Sequence, residues 1–307
     1  MPGHVKNLFC EENYEEQLVK SVRGGERLCV LAHEDTVMVR DKRILENLMM
    51  LEKSKRVVDY CGDVQTEIAA HMRKIVTDWM LEVCEDQQCQ PEVFFLAVNY
   101  LDRFLSLVNI KKSQFQLLAS VCILLASKFS QVVPITSEQL VIYTDNSVSV
   151  DQIRQWELHV LNVLQWEIAS VTAHSFLEHF LNRDQTCVKT VRRQAANIAA
   201  VAATEYKFIT TKQSVIAAAA LALAVQQLGD DTEHLINNLS DCIKVSPGEV
   251  VFFMHHLNLH TTPLEEDSDT ESGYSSDSCH SDIKVSETVS SATQTPKDCF
   301  LVSNEIC

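Results

Sequence analysis

The chain has 307 residues, 46% of them hydrophobic, which is enough to fill the cores of one large or two ordinary domains. Seven Gly and six Pro are too few for a sandwich or barrel of strands and tight turns, so helices are expected throughout. A formal charge of −16, with Lys and Arg scattered singly or in pairs, argues against a nucleic-acid surface, which needs a basic stripe.

Eleven Cys form no C-x-x-C pair and no signal segment precedes them, so they are read as free thiols in a reducing compartment, cytosol or nucleus. Residues 1–34 mix charges with few periodic apolar positions and are expected to be flexible, apart from a helical patch at Tyr14–Val22. Within them Leu8-Phe9-Cys10-Glu11-Glu12 has the form L-x-C-x-E, with further acid at Glu15 and Glu16. Such a five-letter pattern is either incidental or a strand-like ligand for a partner's groove.

Val37, Ile44, Leu48 and Leu51 recur at helical spacing over Asp35–Lys53, and a turn follows at Cys61-Gly62; residues 35–62 are thus an N-terminal helix and its connection. Val64–Cys84 reads as a long helix. Its stripe is Met72, Ile75, Val76 and Trp79, with Arg73, Lys74, Asp78 and Glu82 off it. Pro91 opens a helix to Leu107 in which Asp102-Arg103 is an embedded charge pair. In Ser113–Ser130 apolar residues cover nearly the whole circumference, so this helix must be central; it is too short and too interrupted for a membrane span. Its one charge, Lys128, falls at the exit, where a cation suits the helix dipole. Thr136-Ser137-Glu138 starts a short helix to Tyr143, Asp145-Asn146-Ser147 turns the chain, and Val150–Leu164 closes the set with Glu157 at the edge of its apolar stripe.

The pattern then repeats. Helices over Thr172–Leu181, Val188–Ile209, Lys212–Leu228, Glu233–Ile243 and Ser246–His260 follow the first set at a nearly constant offset of roughly a hundred residues, as expected of a duplicated unit. The expected fold is all-α, two tandem five-helix repeats over 63–168 and 169–262. Residues 263–307 are dense in Asp, Glu and Ser at first, lack a sustained period, and are expected to be a disordered tail. There is no Gly-rich phosphate loop and no H-E-x-x-H; adjacent His255-His256 point to different sides of a helix, and Cys84 and Cys89 lack His partners at zinc spacing. No metal, cofactor or catalysis is therefore expected; the chain would act by binding.

Met72-Arg73-Lys74-Ile75-Val76 with Trp79-Met80, Asn99-Tyr100-Leu101-Asp102-Arg103-Phe104-Leu105, Leu125-Ala126-Ser127-Lys128-Phe129 and Tyr143-Thr144-Asp145-Asn146-Ser147 together resemble the cyclin box. Residues 79–85 and Leu8, Cys10 and Glu12 are closest to the D-type cyclins, and the resemblance runs from about Asp35 to about His260. Ser130-Gln131 departs from the acidic residues that commonly follow Lys-Phe, and the tail is Ser-rich rather than a Glu block.

The resemblance implies a regulatory subunit that activates a cyclin-dependent kinase at the G1/S transition, in nucleus and cytoplasm. Lys128 and Glu157 would grip the kinase's activating helix, with Leu125, Phe129, Trp166 and Ile168 as apolar neighbours; the bland alternative is that Lys128 and Glu157 merely pair with each other. Met72, Ile75, Val76, Trp79, Glu82 and Gln116 would border a groove for Arg-x-Leu peptides of substrates and kinase-inhibitor proteins, although spacing alone makes the stripe core packing. Leu8, Cys10 and Glu12 would bind a retinoblastoma-type pocket protein. Phosphorylated Thr295 would mark the tail for a ubiquitin ligase, Thr262 being the rival site. Two further readings are a two-box transcription-factor adaptor, against which the absence of basic faces and of a zinc ribbon counts, and a pocket-protein scaffold that activates no kinase.

Overall fold

In the computed structural model, residues 41–54, 57–183 and 189–261 are described here, and among them the secondary structure is helical. The first helix, α1, is Lys42–Ser54. One bundle follows, α2 (Ala70–Asp86), α3 (Pro91–Leu105), α4 (Phe115–Ser130), α5 (Ser137–Tyr143) and α6 (Val150–Val163). The second is α7 (Ala173–Arg183), α8 (Lys189–Thr204), α9 (Gln213–Gln227), α10 (Glu233–Ile243) and α11 (Pro247–Thr261). The N-terminal segment with Leu8, Cys10 and Glu12 and the tail with Thr262 and Thr295 lie outside the described residues.

Each bundle is built around its third helix, as the apolar circumference of residues 113–130 demands. α4 is buried from Leu117 through Ser127 and packs on α2, α3, α5 and α6. Every Leu or Ile it removes from water contributes about 1.5–3 kcal/mol. In the second bundle α9 is buried from Ser214 through Ala224 and packs on α7, α8, α10 and α11. Its Ala217–Ala220 run lets those neighbours approach closely. Thr136 and Ser149 cap α5 and α6 through capping boxes with Gln139 and Gln152, which is why these helices start there.

Three expected boundaries move, each for a visible reason. Asp41 Oδ1 accepts from the Arg43 amide at 2.9 Å and caps α1, so that helix begins at Lys42. α2 begins at Ala70 instead of Val64 because the Gln65 side chain turns inward, donating to Leu105 O at 2.6 Å and Val108 O at 2.7 Å and accepting from Ile110 N at 3.2 Å. Leu105 O is a carbonyl that helix geometry leaves orphaned at the end of α3, and Val108 lies in the turn just beyond it. α8 stops at Thr204, and Tyr206–Phe208 is a separate 3-10 turn. Here Arg73 donates to the Ala203 and Thr204 carbonyls, and the Thr77 hydroxyl also donates to Thr204 O, at 3.4 Å.

Arg73 is the largest correction to the periodic reading. Expected on the polar side of its helix, it is 1% exposed. Its partner is Asp102, so the supposed Asp102-Arg103 pair does not exist; Arg103 instead donates to Glu167 O at 2.8 Å and Ser170 Oγ at 2.9 Å. α2 and α3 thereby contact α7 and α8, and the two bundles share one interface.

Candidate functional site

Lys128 lies in the last turn of α4 and Glu157 on α6, and the packing of these helices brings Nζ and Oε1 to 2.6 Å. The Lys128 side chain is 47% exposed and that of Glu157 20%, so the pair stands at a surface with one flank open. Ser127, buried beside Lys128, donates to Gln131 Oε1 at 2.8 Å and accepts from the Ile135 amide at 2.7 Å. That fixes the loop leaving α4, which carries exposed Val132 and Val133.

Phe129, next to Lys128, and Leu158, next to Glu157, are exposed, as is Ile142 on α5. Arg154 on α6 pairs with Glu138 on α5 at 3.5 Å, so the ends of α4, α5 and α6 form one continuous support for these side chains. Trp166 follows α6 and is 62% exposed, its indole N–H donating to Asn162 Oδ1 at 3.3 Å. Gln165 and Trp166 both sit at positive φ, 54° and 60°. A left-handed conformation costs a bulky residue of order 1–2 kcal/mol, and packing does not compensate a ring held in solvent.

The second set of residues lies on α2. Met72 and Trp79 are half-buried, Ile75 is exposed and Val76 is 2% exposed; Glu82 is exposed and Gln116, on α4, is half-buried. The core side of α2 is instead Arg73, Val76, Thr77, Met80, Val83 and Cys84. The core reading of the stripe holds in part: Val76 points fully inward, Met72 and Trp79 are half-buried and pack against the core along one edge, and Ile75 is open to solvent, so the three form a shoulder at the core's margin.

Residues 43–169 match the cyclin N-terminal domain and residues 171–289 the cyclin C-terminal domain. The chain belongs to the cyclin family. It is 45% identical over 226 residues to the G1/S-specific cyclin-D1 of Xenopus laevis, an alignment covering 70% of this chain and 78% of that one. To the G1/S-specific cyclin-D3 of Bos taurus it is 42% identical over 242 residues, covering 74% and 82%. A viral cyclin from herpesvirus saimiri superposes with a TM-score of 0.64 over 71% of this chain and 96% of its own, at 22% identity, so the fold is shared. Within the family this chain is a D-type cyclin.

In this cyclin the structure brings Lys128 and Glu157 together and leaves Phe129 and Trp166 exposed. It does not expose Leu125, which is 4% accessible because it faces the α4 core, nor much of Ile168, which packs against that core. Sequence reasoning missed Val132, Val133, Ile142 and Leu158 as surface apolar residues. The signal was available for Leu158. Ile153, Trp156, Val160, Leu161 and Leu164 share helical spacing, and Leu158 falls outside it.

Proposed function

We propose that this cyclin binds and activates a cyclin-dependent serine/threonine kinase at the G1/S transition through the face around Lys128 and Glu157. The observation that carries the reading is the preassembled, half-open Lys128–Glu157 pair among exposed Phe129, Val132, Val133, Ile142 and Leu158. A Lys ammonium offers three donors and a carboxylate two acceptor oxygens, so a pair already bound to itself at one position can still hold backbone groups of an incoming helix. Apolar residues around it would bury that helix's other side. The chain supplies no catalytic group; it would select the active arrangement of the kinase's own Lys-Glu pair and activation loop by binding that state best.

The α2 shoulder supports docking of Arg-x-Leu peptides from substrates or kinase-inhibitor proteins, with Glu82 for the Arg and Met72, Ile75 and Trp79 for the Leu. Leu8, Cys10 and Glu12 would engage a retinoblastoma-type pocket protein, Leu8 and Cys10 lying on one side of an extended strand. Phosphorylation of Thr295 would create a docking epitope for a ubiquitin ligase and limit the protein's lifetime in nucleus and cytoplasm. The deciding experiment is recovery of partners with the tagged full chain from cell extract, read by mass spectrometry. A kinase subunit retained by the parent and lost with Lys128→Ala supports the proposal; equal retention, or retention of pocket proteins without any kinase, refutes it.

A further inference from the structure

A cleft of about 620 Å³ opens between the two bundles, away from the elements that carry Lys128 and Glu157. Its walls are the end of α2, the start of α3, and α7 and α8. On α2 it uses Leu81, Cys84 and Glu85, which lie roughly half a turn around the helix from the Met72–Trp79 shoulder. The floor is apolar, made by Leu81, Phe94, Phe95, Ala196 and Ala200, and the small α8 side chains leave the space unfilled.

The lip is polar and mostly cationic. Lys189 and Arg193 are exposed in the first turns of α8, Arg192 between them pairs with Glu178, and Glu85 is the acid on the facing side. α3 also begins at the cleft, and its N-cap, Gln90, makes no capping bond with its side chain. The N-terminus of α3 thus adds positive potential to the lysine and arginine. His174 stacks on Phe95 at 5.6 Å with its ring nearly parallel, and its Nδ1 is buried without a hydrogen-bond partner. That atom, with exposed Asn197, offers hydrogen bonding above an apolar floor.

We propose that this cleft is a docking site for a short linear peptide of a partner protein, carrying one or two large apolar side chains next to carboxylates. The volume falls within the roughly 300–1,000 Å³ of ligand pockets, room for two or three side chains. Charge complementarity selects the flanks. The chain as a whole carries a net charge of −16, so an acidic peptide gains attraction where cations gather, here at Lys189, Arg193 and the start of α3. A basic peptide would find better partners elsewhere. The site is independent of the kinase-facing surface, so either can fail without the other.

The test uses the full chain and two fluorescent peptides, one with two glutamates followed by a leucine and a phenylalanine, the other with lysines in place of the glutamates. Anisotropy should show the acidic peptide binding at least about tenfold tighter, an advantage that falls with added salt. Lys189→Glu with Arg193→Glu, both at exposed positions, should invert the preference. Ala196→Trp should abolish binding by filling the floor, while kinase capture persists. Bound acidic peptide should also shield Cys89, which lines the cleft, from alkylation read by mass spectrometry. No binding, equal binding of the two peptides, or binding that survives both variants overturns the proposal.

Discussion

Arg73 of α2 grips Asp102 of α3 through two bonds of 2.7 and 2.8 Å, and the same guanidinium donates to Thr204 O at 2.8 Å and Ala203 O at 2.9 Å. One side chain therefore ties the first bundle to the end of α8 in the second. The Tyr60 hydroxyl donates to Asp102 at 2.9 Å, which leaves the carboxylate fully engaged. Burial opposes the Arg73 charge, but the Asp102 carboxylate outweighs it and the guanidinium is held protonated. Arg73→Met strands Asp102 without its counterion, and the expected loss is about 3–5 kcal/mol. Urea unfolding should show it, together with a less cooperative transition as the bundles uncouple. A loss below about 1 kcal/mol would contradict the assignment.

That pair also marks where the sequence stopped being legible. Helix number, order and the central role of α4 and α9 followed from apolar periodicity, because a helix without a polar face has one place to go. Arg73 broke the reading, since periodicity treats an Arg as a surface residue and has no way to see its partner on another helix. The same blindness placed Ile75 in the core and gave no sign that Met72 and Trp79 are only half-buried at its edge. Lys128 and Glu157 were legible through a family resemblance alone: nothing in their own spacing of 29 residues says that α4 and α6 bring them to 2.6 Å. The inter-bundle cleft was invisible because it is made by four elements that meet only in the folded chain.

For the Lys128–Glu157 pair, stability and binding should separate. Exposed ion pairs contribute about 0–1 kcal/mol, so Lys128→Ala or Glu157→Ala should barely shift the unfolding midpoint. Truncating one member once a partner covers the pair costs about 2–5 kcal/mol, and kinase affinity should fall accordingly. Titration of each variant with a purified kinase subunit, beside its melt, checks both halves. Wild-type affinity in either variant would remove the pair from the interface.

Trp166 tests whether the exposed apolar rim is kept for a partner. Glycine accepts a φ of 60° without penalty, whereas tryptophan there costs about 1–2 kcal/mol. Trp166→Gly gives up one indole hydrogen bond at a solvent-exposed ring. Stability should therefore stay level or rise by up to about 1 kcal/mol, while kinase affinity drops about tenfold or more. A destabilisation beyond about 2 kcal/mol would instead make the ring a packing element of the first bundle.

His174 should leave a signature in the pH dependence of stability. Burial pushes its pKa below the ordinary 6.5; Glu178 pulls it back up, and Arg192 adds to the depression. The unfolded chain thus takes up a proton near pH 6.5 that the folded chain resists. By linkage, this group's contribution is fully present above 6.5 and is lost as the pH falls below it toward the folded value. Glu92 works in the opposite sense. Burial and the Glu178 charge raise it above 4.5, so its contribution is present below 4.5 and fades as the pH rises. Both windows open into the range between 4.5 and 6.5, one from each end, so the wild-type profile alone does not assign its slope to either group. The difference between wild type and His174→Phe does, because Glu92 and the remaining histidines largely cancel in it and the phenyl ring preserves the stack on Phe95. Measured by urea unfolding from about pH 7.5 to 5.5, that difference should be constant above 6.5 and shift in favour of the variant below it. A difference that stays flat through the whole range would show that His174 titrates alike in the folded and unfolded chain.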